Sequence, residues 1–390
     1  MLKTADAVII GGGAIGTSLL YHLTTKGLRN VVLLEKGLLG SGSTGDSAAI
    51  VRQHYSNEVG IHLVKKSVEI FQRFPEMFDG AAVFYNVGWL FLVPPEAGDI
   101  FDDNMSRLKR LGVRTWEISV EDAAQELPGL NTEGIARVAF EPDSGYADPH
   151  GMTSAFAAKA KTNGAQVYLQ TPAHDIKLSH GRVSAVVTEQ GEISTPIVVN
   201  AAGPWAKAVG NWVGLDLPLE ITREPEVVVR QPADMPPLRR AVSNMVDRTY
   251  WRPETPGMLL AGTGHPKENE PADPDNYSRD VERHFVEDIV QRLSHRLPAM
   301  EQAMLVKGWT GLYTVTPDWN MIVDKSPDVD GLYLAVGGSG HSFKIAPAIG
   351  LCLAEMIADG KASTVDITPL RASRFDENDL RRSTYGGNRA

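Results

Sequence analysis

Apolar residues are concentrated in short, uninterrupted runs at the beginning of the chain. Ala7–Ile10 forms the first run, a glycine-rich segment at 11–16 follows, and Val31–Leu34 forms the second run after a stretch with helical spacing. Short apolar runs that end at glycine or polar residues are typical of strands buried on both faces of a sheet. The pattern therefore predicts a strand, a tight turn, a helix and a second strand.

The same patterning predicts the remaining elements. Apolar positions recur at helical spacing in several segments, and shorter apolar runs bounded by glycine, proline or polar residues predict strands. The predicted helices cover 58–76, 97–111, 120–127, 155–161, 279–293 and 346–358. The predicted strands cover 84–92 as a pair around Gly88, 167–169, 183–188, 196–199, several segments of 220–260, and 331–336. A turn is predicted at 337–341 and a solvated loop at 267–276.

Three glycines in the first turn have the spacing that a bound dinucleotide requires. Gly11 permits the tight turn, Gly13 lets the backbone approach a pyrophosphate, and Gly16 lets the helix pack closely on the strand. The unpaired N–H groups and the positive dipole at the helix N-terminus favour an anion there. Glu35 ends the second strand, where a carboxylate accepts hydrogen bonds from ribose hydroxyls. An ordinary turn without a ligand is the alternative, but every context condition of the motif is met.

The segment after Glu35 separates a flavin from a nicotinamide cofactor. Residues 39–45 are mostly glycine and small hydroxyl-bearing residues, including Ser43 and Thr44, and they continue directly from the acidic strand. Such residues suit a loop that wraps the ribose and the isoalloxazine side of a flavin, whereas NAD-binding domains usually proceed to a further helix. The sequence therefore predicts FAD as the cofactor, and no metal site is predicted.

Composition and charge exclude several classes of function. The 43% hydrophobic and 22% charged residues indicate a globular protein, and the net charge of -10 argues against a nucleic-acid binder, which needs clustered positive charge. The single cysteine, Cys352, leaves no intrachain disulfide and favours a reducing compartment, so we expect a cytoplasmic location. The N-terminal apolar run is too short for a membrane span, and no transmembrane segment is predicted elsewhere.

A chain of 390 residues is too long for one ordinary core and suits two interleaved domains. The predicted fold class is α/β with mixed α+β character: a Rossmann-like FAD-binding domain interleaved with a substrate domain built on an antiparallel sheet. We expect the FAD-binding domain to comprise 1–80, 146–215 and 305–390, because the last apolar strand and helix return to the first sheet. The substrate domain would comprise 81–145 and 216–304.

Several segments, taken in order, resemble the FAD-dependent amine and amino-acid oxidoreductases of the D-amino-acid oxidase type, which include sarcosine oxidase and glycine oxidase. The resemblance spans nearly the whole chain and is closest to the β-subunit branch of sarcosine oxidase. It implies an enzyme that moves a hydride from an amine-bearing carbon to flavin N5 and leaves an imine, which hydrolyses. The segments that carry it are the glycine motif, 43–45, 200–205, 316–318 and 337–344, with 131–150 and 250–254 for the branch.

The resemblance implies a set of catalytic or substrate-binding residues. Arg52 matches the arginine that binds the substrate carboxylate, and a guanidinium holds a carboxylate in bidentate geometry. Lys344 matches the family lysine that follows the Gly-His turn. Tyr250 and Arg252 lie where the family places active-site residues, and His54 would share the face of Arg52 on an alternating strand. Surface charges, structural ion pairs or a structural histidine are the alternatives for these side chains.

The predicted cofactor site extends along the chain. The turn at 337–341 would direct backbone N–H groups and the start of the last helix at the flavin pyrimidine edge, where they would stabilise an anionic reduced ring. The predicted FAD-binding residues are Gly11, Gly13, Ala14, Ile15, Gly16, Glu35, Lys36, Ser43, Thr44, Ala173, Ala202, Gly203, Trp205, Gly311, Gly338, Gly340, His341, Ser342 and Lys344.

Two departures from sarcosine oxidase affect the expected chemistry. Gly311 stands near the position of the cysteine that links FAD covalently in the monomeric enzyme, and Cys352 lies well beyond it, so we expect noncovalent FAD. The lysine that helps that enzyme react with oxygen falls near 258–260, where this chain has no lysine. The electron acceptor is therefore open between molecular oxygen and an electron-accepting partner.

Several functions follow from these observations. The leading hypothesis is a flavoprotein that oxidises the C–N bond of a small amino acid, with N-methyl or other secondary amino acids such as sarcosine or proline favoured. A second is the catalytic subunit of a hetero-oligomeric amino-acid or opine dehydrogenase. A third is a non-catalytic FAD-binding assembly factor, although Arg52 and Lys344 argue against it. An NAD-dependent dehydrogenase is disfavoured by the flavin loop.

Overall fold

The computed structural model describes residues 3–264 and 266–385. The helices of this part of the chain are α1 (Ala14–Thr25), α2 (Glu58–Gln72), α3 (Phe74–Met77), α4 (Gly98–Arg110), α5 (Val120–Glu126), α6 (Pro149–Thr162), α7 (Ala206–Asn211), α8 (Arg283–Arg296) and α9 (Ser342–Asp359). Its strands are β1 (Ala7–Ile10), β2 (Val31–Leu34), β3 (Ile50–Val51), β4 (Phe84–Tyr85), β5 (Trp89–Val93), β6 (Trp116–Ile118), β7 (Arg137–Glu141), β8 (Gly145–Ala147), β9 (Gln166–Tyr168), β10 (Ala173–Ser179), β11 (Arg182–Thr188), β12 (Gly191–Ser194), β13 (Val198–Asn200), β14 (Glu220–Arg230), β15 (Ala241–Asn244), β16 (Thr249–Pro253), β17 (Met258–Thr263), β18 (Met304–Val315), β19 (Ile322–Lys325) and β20 (Leu332–Val336).

A six-stranded, largely parallel sheet has the order β19-β20-β13-β1-β2-β9, with β19 as an antiparallel edge strand. Alternate residues of its central strands enter different cores. Ala7 and Ile9 belong to the core that contains residues of α1, α2 and α9, whereas Val8 and Ile10 belong to the core shared with β10, β11 and β12. Burial on both faces explains why the sequence shows uninterrupted apolar runs here.

Helices α1 and α9 pack against each other on one face of this sheet. The hydroxyl of Ser18 donates to the carbonyl of Pro347 at 3.2 Å, and a Cβ on Gly350 would lie 2.2 Å from the Ser18 hydroxyl oxygen. The two helices therefore lie in direct backbone contact. Because each follows a parallel strand, both N-termini are brought to the carboxyl edge of the sheet, where ligands of such folds bind.

An eight-stranded sheet has the order β18-β14-β17-β16-β15-β5-β7-β6, and its pairs are antiparallel except for β15 with β5. One face packs on α8 through a core that includes Val227, Val229 and Ile289. Because side chains alternate along a strand, Glu224 and Glu226 of β14 lie on the other face. Smaller sheets are β3-β8-β4 and β10-β11-β12.

The structure differs from the sequence predictions in several places. β4 and β5 flank Gly88 but belong to different sheets, so 84–92 is not a strand pair. The strand before Arg52 ends at Val51, and the alternation expected to carry His54 onto the face of Arg52 therefore does not apply. Helix α9 begins at Ser342, earlier than predicted.

The predicted domain boundaries stay a prediction. Strands of the parallel sheet come from three stretches of chain within 7–34, 166–200 and 322–336, in agreement with a discontinuous arrangement. Strand β18, however, pairs with β14 in the eight-stranded sheet, although its residues fall in the stretch assigned to the FAD-binding domain. No helix among the described residues is long and apolar enough to cross a membrane.

Candidate active site

The turn after β1 brings backbone N–H groups and a carboxylate together at the sheet edge. Gly11 has a φ of +117°, and a Cβ there would lie 2.3 Å from the carbonyl oxygen of Ala201. Only glycine fits both this conformation and this approach. At the end of β2, the Glu35 carboxylate accepts the N–H groups of Gly12 at 2.7 Å and Gly37 at 2.6 Å. The carboxylate therefore lies directly beside the turn.

The loop after Gly40 folds over the N-terminus of α1. The hydroxyl oxygen of Thr44 accepts the N–H of Ala14 at 3.1 Å, and Gly13 caps the helix without a side-chain bond. The hydroxyl of Ser43 is buried and has no hydrogen-bond partner among the described residues. An unpaired hydroxyl beside the N-terminus of a helix is a donor set suited to phosphate oxygens. These groups fit the diphosphate of FAD.

A cation and an indole ring flank the same region. The ammonium of Lys36 lies 3.2 Å from the centre of a Trp205 ring. The indole N–H of Trp205 donates to Asp275 at 2.7 Å, and Lys36 forms an ion pair with the same carboxylate at 3.4 Å. Asp275 belongs to the stretch predicted as a solvated loop, which thus reaches the predicted cofactor residues.

The turn before α9 brings a second helix N-terminus to the site. Ser339 has a φ of +44°, a left-handed conformation that residues with side chains rarely adopt. Its hydroxyl accepts the N–H of Thr316 at 3.2 Å and donates to the carbonyl of Gly337 at 3.1 Å, which holds the turn in place. Helix α9 begins directly after the turn, with Lys344 in its first turn.

These elements surround one cavity of about 630 Å³ that runs between the parallel sheet and the eight-stranded sheet. Of the predicted site residues, only Gly16 and Arg252 do not line it. Those that line it are Gly11, Gly13, Ala14, Ile15, Glu35, Lys36, Ser43, Thr44, Arg52, His54, Ala173, Ala202, Gly203, Trp205, Tyr250, Gly311, Gly338, Gly340, His341, Ser342 and Lys344.

Gly16 and Arg252, the two predicted residues that do not line the cavity, have structural roles instead. A Cβ on Gly16 would lie 2.0 Å from the carbonyl oxygen of Gly11, so Gly16 allows α1 to pack on the turn. Arg252 donates from Nε to the carbonyl of Ala48 at 2.5 Å and forms an ion pair with Glu254. Its guanidinium therefore holds the loop at 40–49 to the eight-stranded sheet rather than entering the cavity.

Two cations, Arg52 and Lys344, meet in the cavity. The Arg52 guanidinium carbon lies 5.2 Å and the Lys344 ammonium 6.0 Å from the centre of the Tyr55 ring. Arg52 donates to the carbonyl of His54, and neither cation has a carboxylate within 4 Å in the described part of the chain. Burial, aided by the positive charge of Arg52, lowers the pKa of Lys344 well below its usual value. The guanidinium therefore carries a charge that no carboxylate of the described residues neutralises, and an anion beside it would favour the protonated form of Lys344.

His54 lies on the wall of the same cavity and is fully buried. Its Nε2 lies 2.9 Å from the hydroxyl of Tyr385, and its Nδ1 lies 3.6 Å from a carboxylate oxygen of Glu141. Burial lowers the pKa of His54, although Glu141 acts in the opposite direction. The neighbouring rings of Trp89 and Phe91 make this end of the cavity largely apolar.

Tyr250 and Glu226 form a second polar pair in the cavity. The Tyr250 hydroxyl donates to Oε1 of Glu226 at 2.7 Å, and the N–H of Ala48 donates to the same oxygen at 3.2 Å. Burial raises the pKa of Glu226 to about 7. Burial also raises the pKa of Tyr250 well above its usual value, so the phenol remains the donor.

Several cavity residues were not singled out in the sequence, among them the polar residues Glu224, Glu226, Tyr313 and Tyr385. A signal for the two acids was present, because they come just before the buried apolar run at 227–229 of the same strand. Tyr385 had no such signal, since it lies far along the chain from every motif. Only the folded chain places it beside His54.

A parallel sheet with a glycine turn, an acidic residue after its second strand and a cavity shared with an antiparallel sheet defines a dinucleotide-dependent oxidoreductase. The chain belongs to the DAO family, described as FAD dependent oxidoreductase, whose model matches residues 6–356. The family resemblance, the mixed α/β fold and the FAD dependence predicted from the sequence are thereby confirmed.

Similar proteins include dehydrogenases and an oxidase. Mitochondrial dimethylglycine dehydrogenase of Rattus norvegicus is 28% identical over 408 residues, which cover 98% of this chain and 47% of that protein. The chain thus spans about half the length of this relative. The crystal structure of L-proline dehydrogenase from P. horikoshii matches with a TM-score of 0.90 and 28% identity, covering 98% of this chain and 100% of that one. Glycine oxidase from Geobacillus kaustophilus has a TM-score of 0.83 and 25% identity, covering 95% and 99%.

Proposed function

We propose that this protein oxidises the C–N bond of a small amino acid, with N-methyl or other secondary amino acids favoured. The observation that carries the proposal is the pair Arg52 and Lys344, which lie without a carboxylate partner, among the described residues, in the cavity that the FAD-cradling turns enter. Partly desolvated cations are stable only when an anion or other acceptors compensate them. The carboxylate of an amino acid is an anion of suitable size and charge.

Different residues along the cavity would bind the cofactor and the substrate. Ser43, Thr44 and the N-terminus of α1 would hold the FAD diphosphate, and Glu35 would bind the ribose. When bound, FAD supplies the hydride acceptor. Arg52 holds the substrate carboxylate through two parallel N–H···O bonds, which fixes the direction of the α-carbon, and the bound carboxylate in turn favours the protonated form of Lys344.

The names of similar proteins support the substrate class and leave the electron acceptor between two candidates. Dimethylglycine dehydrogenase and L-proline dehydrogenase are named for N-substituted or secondary amino acids, and glycine oxidase for a primary one. Two of the three are dehydrogenases, which supports a second candidate function: a catalytic subunit that passes electrons to a partner protein rather than to oxygen.

The test is anaerobic reduction of the bound flavin by a panel of compounds. The panel contains sarcosine, dimethylglycine, L-proline, glycine, D-amino acids and opines, and bleaching is followed near the long-wavelength flavin band. Bleaching by one compound names the substrate class. Rapid return of colour in air then indicates an oxidase, and slow return a dehydrogenase. If dithionite alone bleaches the flavin, the non-catalytic assembly factor replaces the proposal.

A matched pair of variants tests the carboxylate site. Arg52→Met removes the guanidinium, so the concentration of substrate needed for half-maximal bleaching should rise about 100-fold, the effect of losing a bidentate charged contact. Arg283 lies on α8 with 91% of its side chain exposed, and Arg283→Met is the control, expected to change nothing. An unchanged substrate dependence in Arg52→Met would overturn the assignment.

The cellular compartment also stays a proposal. Cys352 is the single cysteine of the sequence and is buried in α9, where its thiol donates to the carbonyl of Val365 at 3.9 Å. A chain built without disulfides suits a reducing compartment. We place the enzyme in the cytoplasm on this ground, and fractionation of cells with an antibody to the protein tests it.

A further inference from the structure

Glu226 differs from Glu224, its neighbour on the same face of β14, in having no cation within ion-pair distance among the described residues. Glu224 forms an ion pair with Lys267 and accepts the hydroxyl of Thr222 at 2.9 Å. Glu226 is 4% exposed and has no cation within 4 Å among residues 3–264 and 266–385. Its Oε1 accepts two hydrogen bonds, whereas its Oε2 is buried without a hydrogen-bond partner in this part of the chain. One acceptor oxygen is therefore unused in a cavity wall.

The strand register creates the pair that orients this carboxylate. Glu226 on β14 stands beside Gly262 on β17, and Gly262 stands beside Tyr250 on β16. A Cβ on Gly262 would lie 2.3 Å from the Tyr250 hydroxyl. Tyr250 therefore reaches across β17 to Glu226 only because the middle residue has no side chain. This fixes Oε1 and leaves Oε2 as the oxygen without a hydrogen-bond partner among the described residues.

The cavity carries opposite charges on different elements. Arg52 and Lys344 supply positive charge from the segment after β3 and from α9, whereas Glu226 supplies negative charge from β14. Both charges act on Tyr313 of β18: burial and the charges of Glu224 and Glu226 raise its pKa, and Arg52 acts in the opposite direction. A zwitterion, which carries one negative and one positive group, complements a cavity with Arg52 and Lys344 on one side and Glu226 on the other.

We propose that Glu226 binds the positively charged nitrogen of the substrate, so that the cavity recognises both the carboxylate and the ammonium group of an amino acid. This rests on the proposed function, since it assumes an amino acid whose carboxylate lies at Arg52 and Lys344. The ammonium donates a hydrogen bond to the unused Oε2, and Tyr250 keeps the carboxylate in place through Oε1. Glu226 thereby favours the amino acid over a carboxylic acid that lacks the nitrogen, because only the ammonium donates a hydrogen bond to Oε2.

The charge state of Glu226 gives this recognition a pH dependence. Burial raises the pKa of Glu226 to about 7, while Tyr250, Arg252, the N–H of Ala48 and Lys267 act to lower it. An ammonium binds the ionised carboxylate, so the affinity for the amino acid falls as the pH drops below about 7. A carboxylic acid without the nitrogen does not contact Glu226 and lacks this dependence.

The test compares ligands that differ only in the nitrogen. Sarcosine is matched with butanoate, and L-proline with cyclopentanecarboxylate, by calorimetric titration of the FAD-loaded protein after anaerobic reduction with dithionite, when no hydride can be transferred. The wild type should bind the amino acid of at least one pair about tenfold or more tightly than its carbon analogue. Glu226→Gln should abolish this preference and leave the affinity for the carbon analogue within about twofold.

Two further variants control for structural damage. Glu220→Gln is the same change at an exposed position of β14, and it should keep the preference because Glu220 lies outside the cavity lining. Tyr250→Phe removes a hydrogen bond that lowers the pKa of Glu226, so the loss of amino-acid binding should begin at a higher pH than in the wild type. This shift is a readout that a purely structural tyrosine would not produce.

The outcomes separate this inference from the proposed function. A folded Glu226→Gln protein that keeps the preference, or a wild type that binds both members of each pair equally, overturns the role of Glu226. The carboxylate site is tested independently, because Arg52→Met should weaken butanoate and cyclopentanecarboxylate as well. If Arg52→Met binds these acids as the wild type does, the proposed function fails, and the ammonium site fails with it.

Discussion

The hydroxyl of Tyr385 lies 2.9 Å from Nε2 of His54, so two residues 331 positions apart form one wall of the cavity. Tyr385 is 7% exposed, and its ring meets that of Phe91 edge-on with centroids 5.6 Å apart. The segment before Tyr385 is tied to the body of the protein, since the N–H of Thr384 donates to the hydroxyl of Ser56 at 3.1 Å. The substrate end of the cavity therefore depends on the last described residues of the chain.

Replacing Tyr385 by alanine should weaken ligand binding more than it harms the fold. The substitution opens the wall beside His54 and admits water, so the Kd of a carboxylate ligand should rise about tenfold, whereas Tyr385→Phe keeps the ring and should stay within about threefold. Titration of both variants with cyclopentanecarboxylate measures this. Equal affinities for the alanine variant and the wild type would show that Tyr385 does not shape the binding site.

A fully buried ion pair anchors this same segment. Arg374 donates to both oxygens of Asp318, at 2.8 Å from Nε and 2.9 Å from Nη2, and both side chains are 0% exposed. Asp318 also accepts the N–H of Arg381 at 3.1 Å. We expect Arg374→Met to lower the free energy of unfolding by about 3–5 kcal/mol, because it leaves a buried carboxylate without its partner. Urea denaturation measures the change.

The matched control is an arginine three positions earlier in the chain. Arg371 pairs with Glu377 and Asp379 at the surface, where 29% of its side chain is exposed. Arg371→Met should lower the free energy of unfolding far less than Arg374→Met does, since exposed ion pairs are screened by solvent. A similar loss of unfolding free energy in the two variants would show that burial does not increase the contribution of the Arg374–Asp318 pair to stability.

The same pair predicts a pH dependence of stability. Burial alone would raise the pKa of Asp318, but the hydrogen bonds from Arg374 outweigh it and hold the pKa below its usual value. A carboxyl whose pKa is lower in the folded state stabilises the fold above its unfolded pKa, about 4, and this contribution is lost as the pH falls further. Wild-type stability should therefore decline below about pH 4 more steeply than that of Asp318→Asn, measured by urea denaturation at several pH values.

Glu35 should contribute directly to FAD affinity. Its carboxylate accepts two backbone N–H groups beside the glycine turn and is oriented by them toward the cavity. Glu35→Gln removes the charge that ribose hydroxyls would meet, so the Kd of FAD should rise about tenfold or more. Recovery of flavin fluorescence on dilution measures release. Glu58→Gln on the exposed side of α2 is the control and should release FAD as the wild type does.

FAD should be released without breaking a covalent bond. The single cysteine is buried in α9 and does not line the cavity, and Gly311 offers no side chain near the position where the resemblance to sarcosine oxidase would place a linkage. Acid precipitation should therefore leave a yellow supernatant and a colourless pellet. A flavin that remains with the pellet would show a covalent link through some other side chain.

Local patterns determined the cofactor half of the site. The glycine motif, the acid at the end of β2 and the small residues at 39–45 lie within one stretch of chain, where spacing alone fixes which groups meet. The structure brings Gly11, Glu35 and Thr44 together as this spacing implies. Arg52 and Lys344 came instead from family resemblance, and the structure places both in the cavity without testing their chemical roles.

The substrate half was decided by tertiary structure. Arg252 looked equivalent to Tyr250 in the sequence, and alternation places both on one face of β16, yet the Arg252 guanidinium holds the carbonyl of Ala48 whereas the Tyr250 hydroxyl reaches Glu226 in the cavity. The hydrogen bond from Tyr250 to Glu226 is possible because Gly262, in the strand between them, has no side chain. The contact of His54 with Tyr385 joins residues from opposite ends of the chain. The sequence thus determined the fold class through the family resemblance, and the part of the FAD cradle at 11–45 through contacts local in the chain. Strand register and long-range packing decided which acids, aromatics and cations share the cavity, and no local pattern encodes contacts between residues so far apart.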